Sequence, residues 1–128
     1  MQGRDLFEYA VIRLVPAVER EEFLNIGVIL YCRQQRFLDV RFHLDPERIR
    51  AFSKEVELDL LEKYISAFGG ICKGTEVDSP ISGFESAERF RWLTAKRSSI
   101  LQVSAVHPGL CFRAEETLEK LFQKLVLC

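Results

Sequence analysis

The order of periodicities along the chain predicts an α+β domain built on an antiparallel sheet. Three observations carry this. Residues 6–44 hold three stretches in which apolar side chains recur at every second position. Most of 45–126 shows helical spacing instead. One further strand-like run, 100–106, stands between helical stretches, which gives the order βββαααβα. The expected architecture is a sheet of about four strands with the helices packed on one face. At 128 residues the chain fits one domain, 1–128, with one core.

The first strand is "LFEYAVIRLVP" (6–16). Ala10, Ile12 and Leu14 share one side, Tyr9, Val11, Arg13 and Val15 the other, and Pro16 ends it because it lacks the N–H a ladder needs. The second is "EFLNIGVILYC" (22–32). Leu24, Ile26, Val28 and Leu30 form one face, and Phe23, Asn25, Gly27, Ile29 and Tyr31 the other. In the third, "RFLDVRFHL" (36–44), Leu38, Val40, Phe42 and Leu44 oppose Phe37, Asp39, Arg41 and His43. Short links between the three predict a meander, with "RQQ" suited to a hairpin.

Asp45-Pro46 supplies an N-cap and a first-turn proline for "DPERIRAFS". In "VELDLLEKYISAFGGICKG", Leu58, Leu61, Ile65, Phe68 and Cys72 fall on one stripe, and Gly69-Gly70 ends the helix or weakens it near its end. Residues 74–83 read as a loop and "FESAERFRWLTA" (84–95) as a shorter helix. The run at 100–106 must return to the sheet, most simply beside the first strand. Pro108 fixes φ and Gly109 permits positive φ, so His107-Pro108-Gly109 reads as the turn that leaves the sheet. The last helix is "AEETLEKLFQKLVLC", with Leu118, Leu121, Phe122, Leu125 and Val126 on its apolar face.

Composition narrows the function classes. With 48% apolar and 29% charged residues the chain is expected to fold rather than stay disordered. A formal net charge of −1 gives no overall pull toward nucleic acid or anionic membrane. No apolar run approaches the ~20 residues of a membrane span. Met1–Asp5 runs directly into strand-like sequence, which reads as no signal peptide and a cytoplasmic location. Cys32, Cys72, Cys111 and Cys128 form no close pair, so buried thiols are expected and no metal or cofactor.

Candidate site residues come from the alternation. The face opposite the core would carry Tyr9, Arg13, Asn25, Tyr31, Asp39, Arg41 and His43, joined by Gln102 and Ser104. Such a face suits a polar ligand or a partner, and equally the solvated side of a one-sided sheet. Gly27, beside Asn25, reads as a bulge or as a place of close backbone approach. "RFRWLTAKRSS" (89–99) sets Arg89, Arg91, Lys96 and Arg97 around Trp92. A guanidinium and the Ser98 hydroxyl where helix gives way to strand suit a phosphate or carboxylate, and arginine near Trp suits a stacked base. The alternative is a solvated helix face with Trp92 as a core plug. His107 at its turn is an acid, a base, an anion contact or a hydrogen-bonded structural residue.

"YAVIRLVPAVEREEFLNIGVILYC", "RFLDVRFHLDPERI" and "RFRWLTAKRSSILQVSAVHPGLC" together resemble the bacterial domain-of-unknown-function 3037 family. Its pattern is R-x-V-P, E-F-x-N-V-G-V, R-F-x-W-L, R-S and Q-x-S-x-V-H. Arg13, Pro16, Glu22, Asn25, Gly27, Arg89, Trp92, Arg97, Ser98, Gln102, Ser104 and His107 stand at its places, and Ile26 replaces the usual Val. The resemblance implies a small bacterial cytoplasmic protein often encoded beside a HipA-like kinase. It therefore implies a protein partner, such as that kinase, in a regulatory or toxin–antitoxin pair. The reading favoured is a non-catalytic interaction domain with Arg13, Glu22, Asn25, Trp92, Arg97, Ser98, Gln102 and His107 as binding residues. The alternatives are a phosphate-handling or nucleic-acid-processing enzyme using Glu22, Arg13, Arg97 and His107, and a nucleotide-sensing module.

Overall fold

The computed structural model describes residues 3–76, 78–97 and 99–127. Strands β1 (Asp5–Leu14), β2 (Leu24–Cys32) and β3 (Phe37–Phe42) form the expected antiparallel meander. The β2–β3 turn closes through Arg36, at φ 51°, whose N–H donates to the Arg33 carbonyl. Helices α1 (Pro46–Phe52), α2 (Leu58–Lys73) and α3 (Ser86–Leu93) follow. Asp45 caps α1 by accepting from the Glu47 and Arg48 amides. Helix α2 runs through Gly69-Gly70 and stops at Gly74, whose φ of 75° is open to glycine at no steric cost. Next come β4 (Leu101–Val103), β5 (His107–Cys111) and α4 (Ala114–Phe122), whose end widens into a π-helical stretch, Gln123–Leu127.

The last strand does return to the edge of β1, but in two pieces. β4 pairs with the far half of β1 (Arg13 opposite Gln102) and β5 with its first half (Tyr9 opposite His107, Phe7 opposite Gly109). Ser104 joins them. Its amide donates to the Val11 carbonyl and its buried hydroxyl accepts from the Val11 amide, each at 2.9 Å. His107-Pro108-Gly109 is therefore strand, which corrects the turn expected there. Proline is tolerated because β5 is an edge strand, paired with β1 alone. Glycine leaves room for the Phe7 ring, since a Cβ at position 109 would lie 2.5 Å from its tip.

The α+β class and the antiparallel pairing are as the sequence predicts; among the described residues the sheet has five strands. The layering differs from expectation, because helices cover both faces. Against one face Ile49 of α1, Leu61, Phe68 and Ile71 of α2, and Phe90 and Leu93 of α3 pack on Ala10, Ile12, Leu14, Ile29 and Val40. Against the other, Ala114, Leu118, Phe122 and Val126 pack on Phe7, Val28, Leu30 and Cys32. A bulge in β2 sets which of its residues reach each core. Ile12 opposes Gly27 while Arg13 opposes Asn25, so Ile26 is an extra residue. Beyond it the alternation changes phase, sending Ile29 and Tyr31 to the first core and Val28 and Leu30 to the second. Gly27 stands where β3 comes close: a Cβ there would meet the Arg41 carbonyl at 2.8 Å.

Candidate functional site: a cationic groove at the β1–β4 edge

Asn25, Arg13 and Gln102 lie side by side across β2, β1 and β4. Residues opposite one another across a ladder point to the same face, so the three polar side chains form a row. Helix α4 and its continuation cover the β2 end of that row, where the Asn25 side-chain amide donates to the Leu125 carbonyl at 3.2 Å. The β1 and β4 end stays open. There a groove of about 510 Å³ is lined by Arg13, Lys96, Arg97, Gln102, Val103 and Ala105.

Local packing sets the direction of each cation. The Arg13 guanidinium lies 4.1 Å over the Phe23 ring, and that of Arg97 lies 4.1 Å over the Trp92 ring. Arg97 also donates to the Trp92 carbonyl near the end of α3. Burial lowers the Arg97 pKa below the ordinary guanidinium value, yet the group stays charged at neutral pH. Gln102 donates to the Ser99 carbonyl at 3.1 Å, leaving its amide oxygen to the groove wall. Among the described residues neither Arg13, Lys96 nor Arg97 forms an ion pair. The Arg13 Nε is buried and hydrogen-bonded to no described residue. Two planar guanidiniums held by aromatic rings, with an ammonium beside them, are donors of the kind suited to carboxylate or phosphate oxygens.

The structure gathers Arg13, Arg97 and Gln102, with Trp92 behind Arg97, and adds Lys96. Lys96 was visible in the basic stretch, but only the Arg13–Gln102 register shows that it reaches the groove. Ser98 lies outside the described residues. Asn25 belongs to the row but is engaged by the C-terminal segment. Glu22 lies elsewhere, paired with Arg20 beside Pro16 and Phe52. The hydrogen bond from Arg20 holds its carboxyl below the usual carboxylate range, away from the pKa a general base at neutral pH needs. His107 sits opposite Tyr9, its ring 5.3 Å from the Tyr9 ring. That is four residues along β1 from Arg13, roughly 13 Å at the rise of a strand. The enzyme constellation of Glu22, Arg13, Arg97 and His107 therefore does not assemble in one place.

Most of the sheet, the Ser104 joint and the R-F-x-W-L helix lie within residues 9–126, and these match the family model described as "Protein of unknown function (DUF3037)". The chain belongs to the DUF3037 family. Searches of curated proteins and of solved structures find no match. Many DUF3037 pattern positions have a structural task here. Phe90 and Leu93 fill the core, and Arg89 donates to the Phe84 and Cys72 carbonyls. Gly27 makes room for β3, and Ser104 joins β4 to β5. Trp92 is different. It is 40% exposed, on the outer side of α3, and serves as the platform for Arg97 rather than as a core plug.

Other chemistry finds less support in the geometry. Among the described residues no three His, Cys, Asp or Glu side chains stand close enough to hold one metal ion. Burial pushes the Cys72 thiol up to about 12 and raises that of Cys111, so neither is poised as a nucleophile. No described helix is long and apolar enough to cross a membrane.

Proposed function

We propose that this DUF3037 chain is a non-catalytic binding domain whose Arg13–Lys96–Arg97–Gln102 groove engages an acidic patch on a protein partner. The observation that carries it is the convergence of three cations that pair with no described carboxylate, in a groove lined by none among the described residues. Arginines stacked on aromatics at a partly desolvated surface are favoured hot-spot residues of protein interfaces. A HipA-like kinase, the partner that the family resemblance suggests, is the first to test. The site is a bacterial, cytoplasmic one in this reading.

The nucleotide-sensing alternative draws on the same groove, since Trp92 and Arg97 offer a stacking surface beside phosphate-binding cations. Calorimetry separates the two. The chain is titrated with a purified HipA-like kinase, with ATP and with inorganic phosphate. The interaction reading expects saturable kinase binding that weakens as salt rises and drops about tenfold or more in Lys96→Glu. Heat from ATP alone, lost in the same variant, would replace it with the nucleotide reading.

A further inference from the structure

A second surface lies on the opposite face, at the other end of β1. Leu6 and Leu110 face each other across β1 and β5, and both are 60% exposed. Phe112, just beyond β5, is 63% exposed, with the Arg4 guanidinium 5.4 Å from its ring centre. Helices α1–α3 stop short of this corner, so three large apolar side chains stand together in water. A contiguous group of that kind on a folded domain marks a contact surface.

Leu6 also borders a wide groove of about 1120 Å³ between the β2–β3 turn and the start of α3. Arg33, Arg36 and Arg91 line it and are exposed, and among the described residues none of them is in an ion pair. Glu8 and Glu85 are the acids in the same wall. The fourth arginine there, Arg89, is spent on backbone carbonyls. With Arg4 at the far end, four guanidiniums that form no ion pair among the described residues flank the apolar corner of a chain whose net charge is −1. Strand addition along β5 is disfavoured, since the strand is short and carries Pro108.

From this juxtaposition we infer that the Leu6–Leu110–Phe112 corner docks an acidic amphipathic helix of a partner protein. The helix sets its apolar stripe on the three side chains and its carboxylates on Arg33, Arg36 and Arg91. Such helix-in-groove recognition pairs apolar anchors with flanking charge. This surface is separate from the cationic groove and does not depend on its reading.

The test uses a fluorescein-labelled helical peptide of about 18 residues, leucines on one side and glutamates on the other. Two controls carry lysine for glutamate or serine for leucine. Polarisation should show the acidic amphipathic peptide binding about tenfold tighter than either control. Leu110→Ser/Phe112→Ser, both exposed, should keep the parental melting temperature and lose that binding. Arg33→Glu/Arg36→Glu should lose it too, while Lys96→Glu should not. Equal binding of all three peptides, unchanged binding by the apolar variant, or no saturation up to about 1 mM would overturn the inference. A dimer in sedimentation that Leu110→Ser dissociates would overturn it as well, by giving the corner to a second copy of the chain.

Discussion

The Arg97 guanidinium stacks on Trp92 and donates to the Trp92 carbonyl, so it serves both the end of α3 and the groove. Arg97→Ala should therefore cost about 1 kcal/mol of stability through the lost stacking and hydrogen bond, besides weakening partner binding. Lys96 carries charge without that task. Lys96→Glu should shift the melting temperature little, as surface changes do, and reduce binding strongly. A thermal melt beside calorimetry checks both. Cys72 is a second residue with a readable consequence. Its ordinary value of 9.0 applies to the unfolded chain and about 12 to the folded one. Between those values the unfolded state releases a proton that the folded state keeps, so stability falls as pH rises. Urea unfolding from pH 9 to 12 should show a shallower loss in Cys72→Ala than in the parent. Parallel slopes would mean that Cys72 ionises freely in the fold.

At the scale of elements, β1 and β3 were legible because each keeps one phase of alternation. Ala10, Ile12 and Leu14, and Leu38, Val40 and Phe42, face the core their spacing predicts. β2 was legible as a strand but not by face. Its sequence runs apolar from Ile26 to Cys32, the signature of a strand covered on both sides, and the bulge hides the change of phase. The helix partner of that second face follows from the same fact. The cationic row was half legible: Arg13 and Gln102 sit on the polar phase of their strands, but which residue of β4 meets which of β1 is a matter of register. β5 misled because proline and glycine usually punctuate turns, and only the Phe7 ring explains Gly109. Gln35 carried no signal, yet it ties three elements: it donates to Asp5 and to the Phe112 carbonyl and accepts from the Ala114 amide, capping α4 from another hairpin. Gly27→Ala should cost about 1–3 kcal/mol through collision with β3. Ser104→Ala should cost about as much by stranding the buried Val11 amide. Urea denaturation of each variant, compared with an exposed control such as Lys96→Ala, measures these terms. Val40→Asp places an unpaired carboxylate in the first core and should leave no folded protein by circular dichroism.

Across the whole molecule, β1 connects two surfaces that face opposite ways. Arg13 and Leu6 differ by an odd number of residues, so their side chains leave opposite faces, roughly 23 Å apart along the strand. One small ligand cannot cover both, and variants in the two regions should act independently. The chain's net charge of −1 conceals both cationic regions, because most acidic residues lie outside them, as at Glu115 and Glu116 in the first turn of α4. Backbone hydrogen exchange reads the β1–β4 groove without any assumption about the ligand. Exchange is recorded for the chain alone and in the presence of a HipA-like kinase, the partner proposed above. Binding at the groove should slow exchange over 12–14, 94–97 and 99–103, an effect absent in Lys96→Glu. A bound kinase that leaves those segments unprotected would contradict it.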